Sequence, residues 1–272
     1  MSALTDHFTL SNGVEIPKIG FGTWQIPNGR EAYDAVSAAL DAGYRHIDTA
    51  RGYGNEASVG RAILASGIPR AEIFVTTKLP AEVKSYDGAL ESFEVTMAEL
   101  ALDYVDLYLI HAPWPWAHPG TDHREGNAEA WRAMQEVHSD GRSRSIGISN
   151  FSVADIEALL AGAEVNPHVN QIRLHVGFPQ FETTEYCQAN GILVEAYSPL
   201  ATGRILEEPA IREIAERYGK TVAQVCIRYT LERGTLPLPK TTDPARMVEN
   251  AAVDFEISAA DMAVLDAITE DG

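Results

Sequence analysis

Eight short apolar runs, each followed by a stretch of helical period, predict an α/β fold: one (β/α)8 TIM barrel domain spanning residues 1–272. Two further observations support closure into a barrel rather than an open doubly wound sheet. The segment Gly20-Phe21-Gly22-Thr23-Trp24, which spans the end of the first run, does not have the spacing of a dinucleotide-binding glycine fingerprint. No linker or low-complexity segment divides the chain.

The chain opens with Phe8-Thr9-Leu10-Ser11-Asn12-Gly13-Val14-Glu15-Ile16, two short strands around an Asn-Gly pair that tolerates the positive φ of a tight turn. This predicts an N-terminal β-hairpin ahead of the repeating part. The barrel strands are predicted at 19–21, 46–48, 73–77, 105–110, 145–149, 169–172, 193–197 and 236–239. Helices are predicted to begin near Arg30, Ser58, Tyr86, Asn127, Ser152, Phe181, Pro209 and Asp243. Ser152 is a capping residue, and Asp243 is followed by Pro244 in the first-turn position. Two extra helices, about 222–233 and 258–268, have no strand of their own. The longest irregular stretch, 112–126, follows the fourth barrel strand and carries Trp114, Trp116, His118 and His123.

A formal net charge of −18 repels phosphate backbones and anionic bilayers, so neither nucleic acid nor a membrane surface is expected as a partner. No run reaches the length of a membrane helix, and the first ten residues lack a basic cluster leading into an apolar run. Cys187 and Cys226 form neither a disulfide framework nor a metal spacing. A cytoplasmic, metal-free monomer acting on a small molecule is the expectation.

In such barrels chemistry gathers at the carboxyl ends of the strands. Four ionisable residues fall there: Asp48, Tyr53 just beyond it, Lys78 and His111. Singly, each has a structural reading as a cap, a packed ring or a solvent-directed lysine. Together they sit on three neighbouring strands at one rim. A lysine there needs a partner, and Asp48 is the nearest candidate. The set suits carbonyl reduction, in which a proton must reach oxygen as hydride reaches carbon. An ammonium beside Tyr53 would lower its pKa, and a neutral histidine could orient the carbonyl.

Several segments resemble the aldo-keto reductase superfamily, in family order. They are Gly20-Phe21-Gly22-Thr23-Trp24, Gly43-Tyr44-Arg45-His46-Ile47-Asp48-Thr49-Ala50, Tyr53-Gly54-Asn55-Glu56, Val105-Asp106-Leu107-Tyr108-Leu109-Ile110-His111, Ile146-Gly147-Ile148-Ser149-Asn150-Phe151, Val169-Asn170-Gln171-Ile172 and Ala196-Tyr197-Ser198-Pro199-Leu200. In length the chain is similar to short prokaryotic members such as the 2,5-diketo-gluconate reductases.

The resemblance implies NADPH-dependent reduction of aldehydes and ketones, with a catalytic tetrad of Asp48, Tyr53, Lys78 and His111 and with Tyr53 as general acid. It implies a nicotinamide held by Ser149, Asn150 and Gln171 and stacked on Tyr197, with Thr23, Trp24, Asp48, Ser198 and Leu200 also at the cofactor. It places the adenosine end against Lys240, Thr241, Thr242, Arg246, Glu249 and Asn250. Lys240 and Arg246 are the local cations an acidic protein needs for a 2′-phosphate. Trp24, Tyr53, His111 and Trp114 are the expected substrate contacts.

The chain departs from the family where Asp243 stands near the expected phosphate and where Leu79, Pro80 and Ala112 replace aromatic pocket walls. His118, His123 and Arg124 could attract a keto acid or simply face solvent. Two other functions compete: a Schiff-base barrel using Lys78, which leaves Tyr197, Lys240 and Arg246 without purpose, and a non-catalytic NADPH-binding sensor subunit.

Overall fold

The computed structural model describes residues 2–269. Strands β1 (His7–Thr9) and β2 (Glu15–Pro17) form the antiparallel hairpin, with Phe8 opposite Ile16. Gly13 takes φ +83° in the turn, a conformation glycine adopts without steric penalty. Eight parallel strands follow: β3 (Phe21–Gly22), β4 (His46–Asp48), β5 (Phe74–Leu79), β6 (Val105–Ile110), β7 (Ser143–Ser149), β8 (Val169–Arg173), β9 (Leu193–Tyr197) and β10 (Leu236–Leu238). Each pairs with the next in chain order.

The seam between first and last strands is closed by Gly20 N–H to Pro237 O and Gly22 N–H to Pro239 O, both 3.1 Å. Pro237 and Pro239 have no N–H to return, so bonds here run in one direction only. That leaves the seam sparsely bonded and β3 only two residues long.

Helices α1 (Arg30–Asp41), α2 (Glu56–Ala65), α3 (Tyr86–Leu100), α4 (Arg124–Ser139), α5 (Val153–Leu160) and α6 (Phe181–Ala189) alternate with the strands. Then come α7 (Pro209–Tyr218), α8 (Val222–Glu232), α9 (Pro244–Ala251) and α10 (Ala259–Asp266). Ser152 caps α5 in a reciprocal box with Asp155, and Asp243 caps α9 through Ala245 N–H. The helix expected near Ser58 begins at Glu56, because Asn55 is tied to Thr23 O and Ile26 O and turns the chain there. The one expected near Asn127 begins at Arg124; Asn127 instead donates to Pro113 O and accepts from Lys84.

Apolar burial divides into three regions. The largest lies between strands and outer helices and holds Tyr44, Phe93, Tyr108 and Trp131. Side chains of this size contribute roughly 1.5–3 kcal/mol each on burial. A second region joins the extra helices through Ile214, Tyr229 and Leu265. The third fills the amino end of the barrel: Phe74, Leu107, Val169 and Leu236 are plugged from below by Leu10 and Ile16 of the hairpin. With its lower end filled by these side chains, the barrel opens, among the described residues, where its strands end, and there the interior becomes polar. No helix among the described residues is long and apolar enough to cross a membrane.

Candidate active site

Strand alternation sends His46 and Asp48 of β4, Thr76 and Lys78 of β5, Gln171 of β8 and Glu195 of β9 into the barrel. Lys78 is fully buried, and its Nζ donates to Asp48 Oδ1 (2.8 Å), Asp48 Oδ2 (2.7 Å), Thr49 O (2.9 Å) and Tyr53 Oη (3.3 Å). Burial pushes its pKa down, but Asp48 and Tyr53 together outweigh that and leave it raised. Lys78 is therefore a fixed cation rather than a nucleophilic amine, which removes the basis for Schiff-base chemistry.

Tyr53 stands in a short turn (Arg51–Tyr53) after β4, its N–H bonded to Ala50 O, and packs edge-on against His111 at 5.6 Å. The four ionisable residues read from the sequence thus meet in space. One expectation is corrected. The ammonium does pull the Tyr53 phenol down, but burial is the larger effect and Asp48 opposes the pull, so the pKa is pushed up to about 12. At neutral pH the phenol keeps its proton. His111 is lowered to about 3 by burial and then by Lys78, so its ring is neutral, as expected.

Above these groups opens a cavity of about 830 Å³, within the usual range for a ligand site. Asp48, Tyr53, His111, Ser149, Asn150, Gln171, Tyr197, Ser198, Leu200, Lys240, Arg246 and Trp24 all line it. Gln171 Nε2 donates to both Asp48 Oδ2 (2.8 Å) and Glu195 Oε2 (2.7 Å). Asn150 Nδ2 holds His111 O at 2.9 Å and Ser149 Oγ at 3.0 Å, while Tyr197 Oη donates to Asn150 Oδ1 at 2.8 Å. The tyrosine ring is thereby fixed on the floor. Among the described residues, seven non-glycine residues have positive φ, and four of them, Gln25, Asn150, Ser198 and Thr202, line this cavity. Such strain persists where a site over-determines the backbone.

Other residues read from the sequence do not line this cavity. Thr23 is buried off the cavity wall, its hydroxyl bonded to Asp48 O at 3.0 Å, so it steadies the strand end. Trp114 packs edge-on against Trp116, and it is Trp116 that lines the cavity and meets His111 edge-on at 5.3 Å. Thr241, Thr242, Glu249 and Asn250 are outside the cavity. Thr241 accepts from Asp243 N–H, Glu249 accepts from Thr221 Oγ, and Asn250 is buried. His118, His123 and Arg124 are not on the wall either; His118 and Arg124 are exposed and His123 is half-buried. The sequence reading missed Gln25, Glu82, Thr202, Gly203 and Leu206 on the cavity wall, while Pro80, read as a replaced pocket wall, does line it. They belong to loops whose direction carries no periodic signal.

The donor set fits a nicotinamide dinucleotide phosphate. An amide floor and a fixed tyrosine ring lie beside the tetrad, and two cations stand across the mouth. Arg246 is held 3.8 Å from Asp243 in an exposed pair that a phosphate can compete with.

This barrel with an Asp–Lys–Tyr–His rim has known counterparts. Residues 18–270 match the aldo/keto reductase family, and the chain belongs to that family of oxidoreductases. It is 43% identical over 271 residues to glyoxal reductase of Bacillus subtilis, covering 99% of this chain and 95% of that one. An aldo/keto reductase from Brucella melitensis superposes with TM-score 0.90 at 44% identity, over 96% of this chain and 98% of the other. A Bombyx mori aldo-keto reductase, solved in complex with NADP, superposes with TM-score 0.87 at 34% identity over 96% and 92%.

Proposed function

We propose that this chain reduces aldehydes and ketones to alcohols with NADPH, Tyr53 giving its proton to the carbonyl oxygen. The observation that carries the reading is the Tyr53 hydroxyl 3.3 Å from an Nζ that Asp48 holds with both carboxylate oxygens, at the floor of a cavity walled by His111. When bound, the nicotinamide supplies hydride to the carbonyl carbon. The oxygen then gains negative charge, and a protonated phenol is in the right state to neutralise it. As the proton leaves, the adjacent ammonium stabilises the phenolate. The neutral His111 ring turns the substrate oxygen toward Tyr53.

Preference for NADPH over NADH rests on Lys240 and Arg246, which lie on the cavity wall of an otherwise acidic protein. The Bacillus relative's name makes small α-dicarbonyls the first substrates to try. The test follows NADPH oxidation with glyoxal-type and simple aldehydes for wild type and Tyr53→Phe. Turnover should fall by about 10²- to 10⁴-fold in the variant while NADPH binding persists. Equal rates would remove Tyr53 from its role, and tight binding without turnover in the wild type would favour a sensor.

A further inference from the structure

Among the described residues that line the cavity, the charged side chains are Asp48, Glu82, Lys240 and Arg246. Asp48 is neutralised by Lys78. Lys240 and Arg246 follow β10, which β3 and β4 separate from β5, so they stand across the mouth from the loop that carries Glu82. At the end where Tyr53 and His111 meet, Glu82 is thus the charge on the wall that the cavity does not balance.

Its neighbours sharpen the point. Trp116 N–H donates weakly to Glu82 Oε1 at 3.4 Å, and Pro80 and the half-exposed Trp24 and Trp116 complete the same wall. The nearest cation of its own loop is Lys84, which feels Glu82 but does not line the cavity. The Lys84 ammonium is spent on Ala112 O (2.8 Å) and Asn127 Oδ1 (2.7 Å). Aromatic faces beside a carboxylate favour cations and hydrogen-bond donors over anions.

We propose that Glu82 is a specificity-determining residue, a carboxylate at the mouth that admits uncharged and cationic carbonyl compounds and disfavours those carrying a carboxylate or phosphate. This rests on the carbonyl-reducing reading of the site. For unit charges about 8 Å apart in a largely aqueous mouth, the discrimination is a factor of about three, and more where aromatic walls exclude water. It weakens in salt, because Glu82 is exposed.

The experiment compares benzaldehyde, para-carboxybenzaldehyde and para-trimethylammonio-benzaldehyde at saturating NADPH, for wild type, Glu82→Gln and Glu82→Lys. Each substrate is compared with itself across the three enzymes, so intrinsic reactivity cancels. Glu82→Gln keeps an oxygen for Trp116 N–H and removes only the charge. Relative to benzaldehyde, its kcat/KM should rise about threefold for the carboxylate and fall about threefold for the cation. Glu82→Lys should extend both shifts, and about 0.5 M salt should compress them. If all three substrates change by one common factor, Glu82 only fastens the Trp116 loop and the charge filter is overturned. A wild type that binds NADPH but reduces none of the three sinks the carbonyl-reducing reading and this inference with it.

Discussion

Glu195 gives a sharp test of how this barrel handles charge. Its side chain is fully buried, Oε2 accepts one hydrogen bond from Gln171 Nε2, and Oε1 accepts none, with the neutral His46 ring 3.9 Å away. Burial, with help from Asp48, raises its pKa from 4.5 to about 8. A carboxylate with one donor and no free cation is expensive, so the folded protein keeps this group protonated at neutral pH. Unfolded, it loses its proton near pH 4.5. The contribution to stability is therefore full below about pH 4.5 and is lost as pH rises through about 8. The slope is about 1.4 kcal/mol per pH unit, and the whole swing is about 5 kcal/mol as an upper bound. Glu195→Gln has no such proton. Relative to wild type, the variant should gain about 3 kcal/mol between about pH 5.5 and 7.5. His46 and Glu56 also shift within the fold, to about 3 and about 7, but they are present in both proteins and cancel in the difference. Urea midpoints by tryptophan fluorescence at matched pH values provide the measurement. Curves that stay parallel across this range would refute the claim that Glu195 is protonated in the fold.

Two other outcomes follow from the same geometry. Replacing both Lys240 and Arg246 by alanine should weaken NADPH binding by about 10- to 100-fold and leave NADH nearly unchanged, read by quenching of protein fluorescence; equal loss for both cofactors would contradict a 2′-phosphate site. Gly147→Ala puts a methyl 2.5 Å from Val169 O and 2.7 Å from Leu109 Cδ2 inside the barrel. It should cost about 1–3 kcal/mol, a drop of several degrees in Tm, and an unchanged Tm would mean that β7 and β8 part freely.

Strand and helix order was legible because burial imposes a period on the chain. The run Val105–Ile110 is buried at every residue between barrel interior and helices, and it stands where the sequence puts it. The meeting of Asp48, Lys78 and His111 was legible for a related reason: β4, β5 and β6 are parallel neighbours, so residues at or just past their carboxyl ends reach the same rim. Loops follow no such rule. Nothing in 112–126 distinguishes Trp116, which faces the cavity, from Trp114 behind it. Nor could spacing reveal that Thr23 would turn inward to bind Asp48 O, or that burial would beat Lys78 in setting the Tyr53 pKa. Those outcomes depend on which of two opposing effects is larger, and only the packed structure provides their sizes.

The same comparison explains why Tyr53, rather than its neighbours, is the position at which chemistry can be separated from folding. Asp48 and Lys78 form a buried pair, with Nζ fully enclosed. Removing either leaves an unpaired charge in the barrel, typically a loss of about 3–5 kcal/mol. A fall in activity there would mix lost catalysis with lost structure. The Tyr53 hydroxyl accepts the longest of the four Lys78 bonds, and the ammonium keeps Asp48 and Thr49 O when that hydroxyl is absent. Tyr53→Phe therefore deletes the hydroxyl proton while leaving the charge pair satisfied, so the expected loss of turnover would measure proton donation as proposed.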